Sequence, residues 1–170
     1  ILDFQGSAHL IGVGSLSKKL YGVVSNMSIA MERRDFLQKF DCFICNQQEA
    51  GMFFSDDYND KTPDEMQDIL ADCLKHANIS SMVVTMGGQG AVFADKNGLR
   101  GFCPARSVQV KDTTGAGDSF CAGVASGLTY GNTLEEAVAI GTRLAASVIT
   151  SSENVCPRFL PAELGITEQV

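Results

Sequence analysis

Short apolar runs alternate with longer segments of helical spacing along this chain, and few folds accommodate that rhythm. Ala8 to Val13, Leu20 to Val24 and Asp41 to Cys45 read as short strands, and Ser81 to Met86 as one rich in β-branched residues. Between and after them, Met31 to Phe40, Gln48 to Phe53, Phe120 to Tyr130 and Leu134 to Ile149 carry helical patterns. Thr62-Pro63-Asp64-Glu65 is a helix start with Thr62 as N-cap, Pro63 at the first position and Glu65 completing a capping box; that helix runs to about His76. Asn97-Gly98 lies between Ala91–Ala94 and Gly101–Cys103 and predicts a hairpin with a type I′ turn. Strands alternating with helices predict an α/β fold: a layered sandwich with a largely parallel sheet flanked by helices, forming a single domain over residues 1–170. In such sheets ligands bind beyond the carboxyl ends of the strands.

The totals remove several classes of function. A net charge of −7 argues against a nucleic-acid surface, which needs a basic patch. No apolar run is long enough to span a bilayer, and no basic segment followed by an apolar stretch opens the chain as a secretory signal would. The first residue is Ile1 rather than Met, which fits a fragment or a processed product. Six cysteines are present, and Cys42 and Cys45 have C-x-x-C spacing. That spacing raises zinc or redox chemistry, but a zinc ribbon needs a second pair and none exists. Buried thiols in an apolar strand are the better reading, and the pattern suits a reducing cytoplasm. His9 and His76 stand in no catalytic spacing and read as structural or exposed.

The run Asp112-Thr113-Thr114-Gly115-Ala116-Gly117-Asp118-Ser119-Phe120 carries the chemistry. Two glycines flank one alanine, so three successive N–H groups can approach an anion, with a helix N-terminus behind them. Asp118 falls beside that cradle. An anion cradle with an adjacent base is what phosphoryl transfer to a hydroxyl requires. The same residues would also serve as a plain glycine-rich turn, with Asp118 or Ser119 as an ordinary N-cap.

Two further constellations sit at strand ends. Asn46-Gln47-Gln48-Glu49 follows the strand Asp41 to Cys45, and an Asn/Glu pair there can hold Mg²⁺ through water or simply cap the next helix. Thr85-Met86-Gly87-Gly88-Gln89-Gly90 ends another strand with glycines that allow close backbone approach to a ligand, or make a tight turn. Asp112, six residues before Asp118, can organise a cation or cap its own loop.

The run DTTGAGDSF closely resembles the C-terminal signature of the ribokinase (PfkB) family of carbohydrate and nucleoside kinases. No Gly-Lys-Ser/Thr follows, so it is not a Walker A loop. The resemblance implies Asp118 as catalytic base and Gly115, Ala116 and Gly117 as the anion hole. It implies Mg²⁺ and phosphate roles for Asn46 and Glu49, and a triphosphate pocket shaped by Thr85, Gly87, Gly90 and Thr114. Asp112 would lie near a monovalent-cation site, where potassium is common in the family. Ala145, Ala146 and Ser147, with Ser151, Ser152 and Asn154, would lie near the adenine. The cofactors implied are ATP and Mg²⁺, with K⁺ at the cation site, and the partner is a sugar or nucleoside substrate.

The resemblance runs from about residue 20 to the end and matches the nucleotide and catalytic half of a longer family fold. The glycine-pair motif, most sugar contacts and the small β-sheet lid of that family are not recognisable here. A domain without them would expose a sheet edge and apolar surface, to be covered by a partner, by self-association into a homo-oligomer or by the missing segment. Two functions follow as expectations: an ATP-dependent kinase acting on a hydroxymethyl group, or a truncated nucleotide-binding or interaction module that does no chemistry.

Overall fold

A computed structural model of the chain describes residues 19–23, 31, 34–151 and 159–166. It divides the chain into two compact units, Ile1–Met86 with Val92–Phe102, and Gly87–Ala91 with Cys103–Val170. The expected strand at residues 8–13, along with His9, Ser152, Asn154 and Cys156, lies outside the described residues.

The described strands form a five-stranded sheet in the order β1-β2-β3-β4-β5, with β1 to β3 in the first unit. These are β1 (Tyr21–Val23), β2 (Cys42–Asn46), β3 (Ser81–Thr85), β4 (Gly90–Asp95) and β5 (Arg100–Pro104). β1 pairs in parallel with β2, and β2 with β3. The four-residue links on either side of β4 are too short for a parallel crossover, so β4 runs against both neighbours. Lys96 N–H donating to Ser80 O at 3.1 Å, and Asp95 N–H to Leu99 O at 2.9 Å, fit that reversal. The result is the mixed, mostly parallel sheet expected of an α/β layered fold.

Asp41 fixes the register where β2 begins. Its carboxylate accepts from Leu20 N–H at 2.8 Å, its own N–H donates to Leu20 O at 2.8 Å, and its carbonyl accepts from the Ser81 hydroxyl at 2.6 Å. One residue therefore ties the approach to β1 and the start of β3 to the middle strand.

Alternation along the strands sends Phe43 and Cys45, Met82 and Val84, and Val92 and Ala94 to one face, where they form a buried cluster. Helix α1 (Gln47–Phe54) adds Ala50 and Phe53, and helix α2 (Pro63–Ala77) adds Met66, Leu70 and Leu74 at four-residue spacing. Phe43 and Phe53 meet edge to face with ring centroids 5.1 Å apart. Burial of side chains this size is worth about 1.5–3 kcal/mol each. Cys42, Ile44 and Val83 on the opposite face are also buried, as a parallel sheet requires.

In the second unit, helix α3 (Ala116–Thr129) packs on helix α4 (Leu134–Thr150). A Cβ placed on Gly123 would stand 2.7 Å from Gly141 Cα, and one on Gly127 would stand 2.9 Å from Ala137 Cα. The contact is close because these positions carry no side chain, and Phe120, Val124, Ala137, Val138 and Ile140 fill in around it. Asn132 Nδ2 donates to Gly165 O at 3.4 Å, and Arg143 donates to Glu163 O, so residues 159–166 lie along this pair.

Three expectations change. Residues 34–39 form a 3₁₀ turn rather than part of an α-helix over Met31 to Phe40. The hairpin turn is not type I′, since of its residues only Gly98 has positive φ, at +100°. Asp95 Oδ1 accepts from Asn97 N–H and Leu99 N–H, which holds the turn in negative φ until Gly98. Finally, α3 begins at Ala116, four residues earlier than the apolar pattern from Phe120 suggested. The glycines and Asp118 interrupt that pattern without interrupting the backbone.

Candidate active site

The early start of α3 decides what Asp118 is. The N-cap is Gly115, at φ +80° and ψ −4°, and it has no side chain to close the helix end. Asp118 is therefore the third helical residue and not a cap, and neither is Ser119. Asp118 is exposed. Its position in the first turn puts a carboxylate by the positive end of the helix dipole.

The three amides expected to form the anion hole are not equivalent. Ala116 N–H already donates to Thr113 O at 3.2 Å, closing the turn into the helix. The N–H groups of Gly115, Gly117 and Asp118 have no backbone acceptor among the described residues. A Cβ on Gly117 would meet nothing within 4 Å, so the space in front of it is open. The first-turn N–H groups left without a backbone acceptor among the described residues are therefore those of Gly115, Gly117 and Asp118, and not that of Ala116.

The other three α-helices that lie wholly within the described residues begin differently. Asn46 with Glu49, Thr62 with Glu65, and Thr133 with Glu136 each form a complete capping box. Among the described α-helices, α3 is the one whose N-terminus no side chain closes.

Just before it, Asp112 Oδ1 accepts from Thr114 N–H at 2.9 Å and from Thr114 Oγ1 at 2.8 Å. These bonds hold the Asp112 carboxyl below its ordinary pKa, the backbone bond from Thr114 first and the hydroxyl second. Asp112 and Thr114 thus form a self-braced loop leading into the glycines. The capping role weighed for Asp112 is formed, and Oδ2 lies outside these bonds.

The first unit gathers Asn46, Glu49 and Thr85. Asn46 on β2 is the register partner of Thr85 on β3, so both stand at the carboxyl ends of adjacent parallel strands. Thr85 Oγ1 reaches toward Cys45 O at 3.5 Å. Asn46 Oδ1 accepts from Glu49 N–H, and Glu49 Oε2 accepts from Asn46 N–H, each at 2.8 Å. The capping reading of this pair is realised. Glu49 Oε1 stays outside the box, and hard oxygen donors at an open strand end suit Mg²⁺ held through water. A residue the sequence reading passed over is Gln47, whose side-chain amide donates to Tyr58 O and, at 3.0 Å, to Lys61 O. The signal available was an amide directly after an N-cap; its partners are more than ten residues away.

Gly87 and Gly90 separate in role. Gly87 is exposed at φ +56°, with nothing within 4 Å of a Cβ placed on it. Gly90 is buried at φ +131°, and a Cβ there would lie 2.1 Å from Cys103 O. Gly90 lets β4 and β5 close on each other and is a packing glycine. Cys42 and Cys45 lie three residues apart on one strand, hence on opposite faces, and cannot share one metal. Burial pushes the Cys42 thiol up to about 11, which also argues against a reactive thiolate. No group of three or more metal-binding side chains occurs among the described residues. His76 is exposed and contacts Asp72 O.

Comparison with known proteins agrees with this architecture. Residues 16–157 match the pfkB family carbohydrate kinase profile. A guanosine-inosine kinase from Exiguobacterium acetylicum is 37% identical over 147 residues, covering 84% of this chain and 47% of that protein. Among solved structures, adenosine kinase from Sinorhizobium meliloti superposes with a TM-score of 0.70 at 24% identity, covering 88% of this chain and 46% of that one. Ribokinase from Cryptococcus neoformans superposes with a TM-score of 0.73 at 20% identity, covering 89% and 53%. The chain belongs to the pfkB family of carbohydrate kinases. It spans about half the length of the guanosine-inosine kinase it matches. No described helix is long and apolar enough to cross a membrane.

Two outcomes follow from this geometry. Gly90→Ala should lower stability by about 1–3 kcal/mol or more through overpacking and strain, while Gly87→Ala, free of clashes, should cost only about 1–2 kcal/mol for its left-handed backbone; urea unfolding of the two variants ranks them. The Asp112 carboxyl, depressed in the folded chain, contributes stability above the ordinary carboxylate range and loses it as pH falls through the lowered pKa. Thr114→Val removes the hydroxyl bond, so NMR titration should show the Asp112 pKa rising toward its ordinary value; an unmoved pKa would contradict the assignment.

Proposed function

We propose that this chain is the C-terminal, nucleotide-binding and catalytic part of a single ribokinase-like domain. The reaction is ATP-dependent phosphorylation of a hydroxymethyl group on a sugar or nucleoside. The observation that carries this reading is the N-terminus of α3: amides at Gly115 and Gly117 with no backbone acceptor among the described residues, no side-chain cap, and the exposed Asp118 beside them. Three other helices of the same chain close that end with a capping box.

In this mechanism Asp118 accepts the proton of the substrate hydroxyl as the oxygen attacks the γ-phosphate in line. The orphan amides and the helix end stabilise charge gathering on the transferring phosphoryl oxygens. Asn46 and Glu49 would hold Mg²⁺, and the ion would supply charge neutralisation to the phosphates. Thr85, Gly87 and Thr114 are assigned to the triphosphate, Asp112 would serve a monovalent cation such as K⁺, and Gly90 supports the turn. The relative from E. acetylicum, named for guanosine and inosine, favours a purine nucleoside over a simple sugar as acceptor. The half-length match favours the second function, a binding module, only if the functional protein is no longer than this chain.

Asp118→Asn in the intact protein should lower kcat about 10²- to 10⁴-fold while leaving ATP affinity nearly unchanged. Steady-state kinetics with nucleosides, together with calorimetric ATP binding, reads both quantities. Unchanged turnover would remove Asp118 from the role of base.

A further inference from the structure

We propose that Gln47 is a positioning residue: it locks the loop of residues 55–61 onto the start of α1 and thereby sets Asn46 and Glu49 for their cation. This inference rests on the reading of Asn46 and Glu49 as the Mg²⁺-ordering pair.

Gln47 is the first residue of α1, immediately after the N-cap Asn46. Its side chain is partly buried, and its Nε2 donates to two backbone carbonyls, Tyr58 O and Lys61 O. Both amide hydrogens of one side chain are thus spent on one loop. The far end of that loop is fixed separately. Ser55 takes a left-handed conformation as the C-cap of α1, and Asp56 N–H donates to Gly51 O at 3.0 Å. A Cβ on Gly51 would stand 2.6 Å from Asp56 O, so the loop turns back directly against the helix. Tyr58 anchors the middle: it is 3% exposed, and its hydroxyl lies 3.7 Å from Cys73 Sγ on α2.

The acidic loop is therefore pinned at three points, and one of them is the residue between the two halves of the Asn46–Glu49 box. The box itself is exposed and depends on two hydrogen bonds. Exposed hydrogen bonds of this kind contribute little and open readily. Gln47 couples them to the buried Tyr58 and to the segment that enters α2 at Thr62. The first turn of α1 then cannot rotate without pulling the loop away from its anchor. Groups that orient metal-binding side chains from one position away commonly change metal affinity about 10- to 100-fold when removed.

The test uses the intact protein with Gln47→Met, which keeps length and loses both donors. Gln47→Asn, which keeps the amide and shortens its reach, is the second variant should the first fail to fold. Two readouts are taken: hydrogen exchange over residues 55–61, and the calorimetric Kd of ADP with saturating Mg²⁺ and with EDTA. Glu49→Gln is run beside them. Either Gln47 variant should speed exchange in the loop and weaken ADP binding about tenfold with Mg²⁺ present, leaving the EDTA value unchanged. If Glu49→Gln weakens the Mg²⁺-dependent binding and the Gln47 variants do not, Gln47 has no positioning role and the reading of the pair stands. If Glu49→Gln also leaves it unchanged, the reading of the pair fails and this inference falls with it. Weakening that is equal with Mg²⁺ and with EDTA would mark general loosening and would overturn the proposal.

Discussion

An uncapped helix end is the feature on which the rest of the reading depends. Every α-helix leaves its first N–H groups without intrahelical partners, and a chain ordinarily closes them with a side chain. Among the described residues this chain does so at Asn46, Thr62 and Thr133, each paired to a glutamate three residues on. At α3 it places Gly115 instead, in a left-handed conformation and with no side-chain cap. Glycine at an N-cap in place of Ser, Thr, Asn or Asp costs only about a few tenths of a kcal/mol. What is gained is an end that a phosphate oxygen can approach as closely as a side-chain oxygen would. Asp118, left out of any cap, keeps its carboxylate for other work.

The supporting structure makes that end rigid. Asp112 and Thr114 brace the approach to Gly115, and Ala116 N–H closes the turn onto Thr113. Behind the loop, α3 is held against α4 at glycine contact distance through Gly123, Gly127 and Gly141. In the other unit, the carboxyl ends of β2 and β3 present Asn46 and Thr85 side by side, because a parallel register of Asn46 with Thr85 brings them there. For the phosphoryl transfer we propose, dipoles at the end of α3 that are already aimed need not reorganise during the reaction.

Much of this was legible in the sequence, for identifiable reasons. The capping box at Thr62, with Pro63 and Glu65, is a local pattern whose physics is complete within four residues, and it formed as read. Periodicity located β2, β3, α2 and α4 to within a residue or so, because Phe43, Val84, Leu70 and Val138 are buried for the hydrophobic reason that periodicity measures. The start of α3 was misplaced because none of Gly115 to Ser119 is buried, so the apolar pattern begins one turn late. The turn at Asn97 departed from type I′ because Asp95, two positions away, accepts two backbone hydrogen bonds there. Gln47 was invisible because its partners, Tyr58 and Lys61, are close only after folding. Sequence left Asn46 and Glu49 open between a cap and a cation site, and the structure shows that the cap is formed.

The most direct test of the central claim is an amide ¹H–¹⁵N NMR titration of the intact protein with Mg²⁺, ADP and a fluoroaluminate in the presence of a purine nucleoside. The metal fluoride stands in for the phosphoryl group in transfer. The account predicts large shifts for the Gly115 and Gly117 amides, with a smaller one for Ala116, whose N–H is already bonded to Thr113. If the nucleotide binds and the Gly115 and Gly117 amides do not move, the open end of α3 is not the phosphoryl site, and the account is wrong at its base.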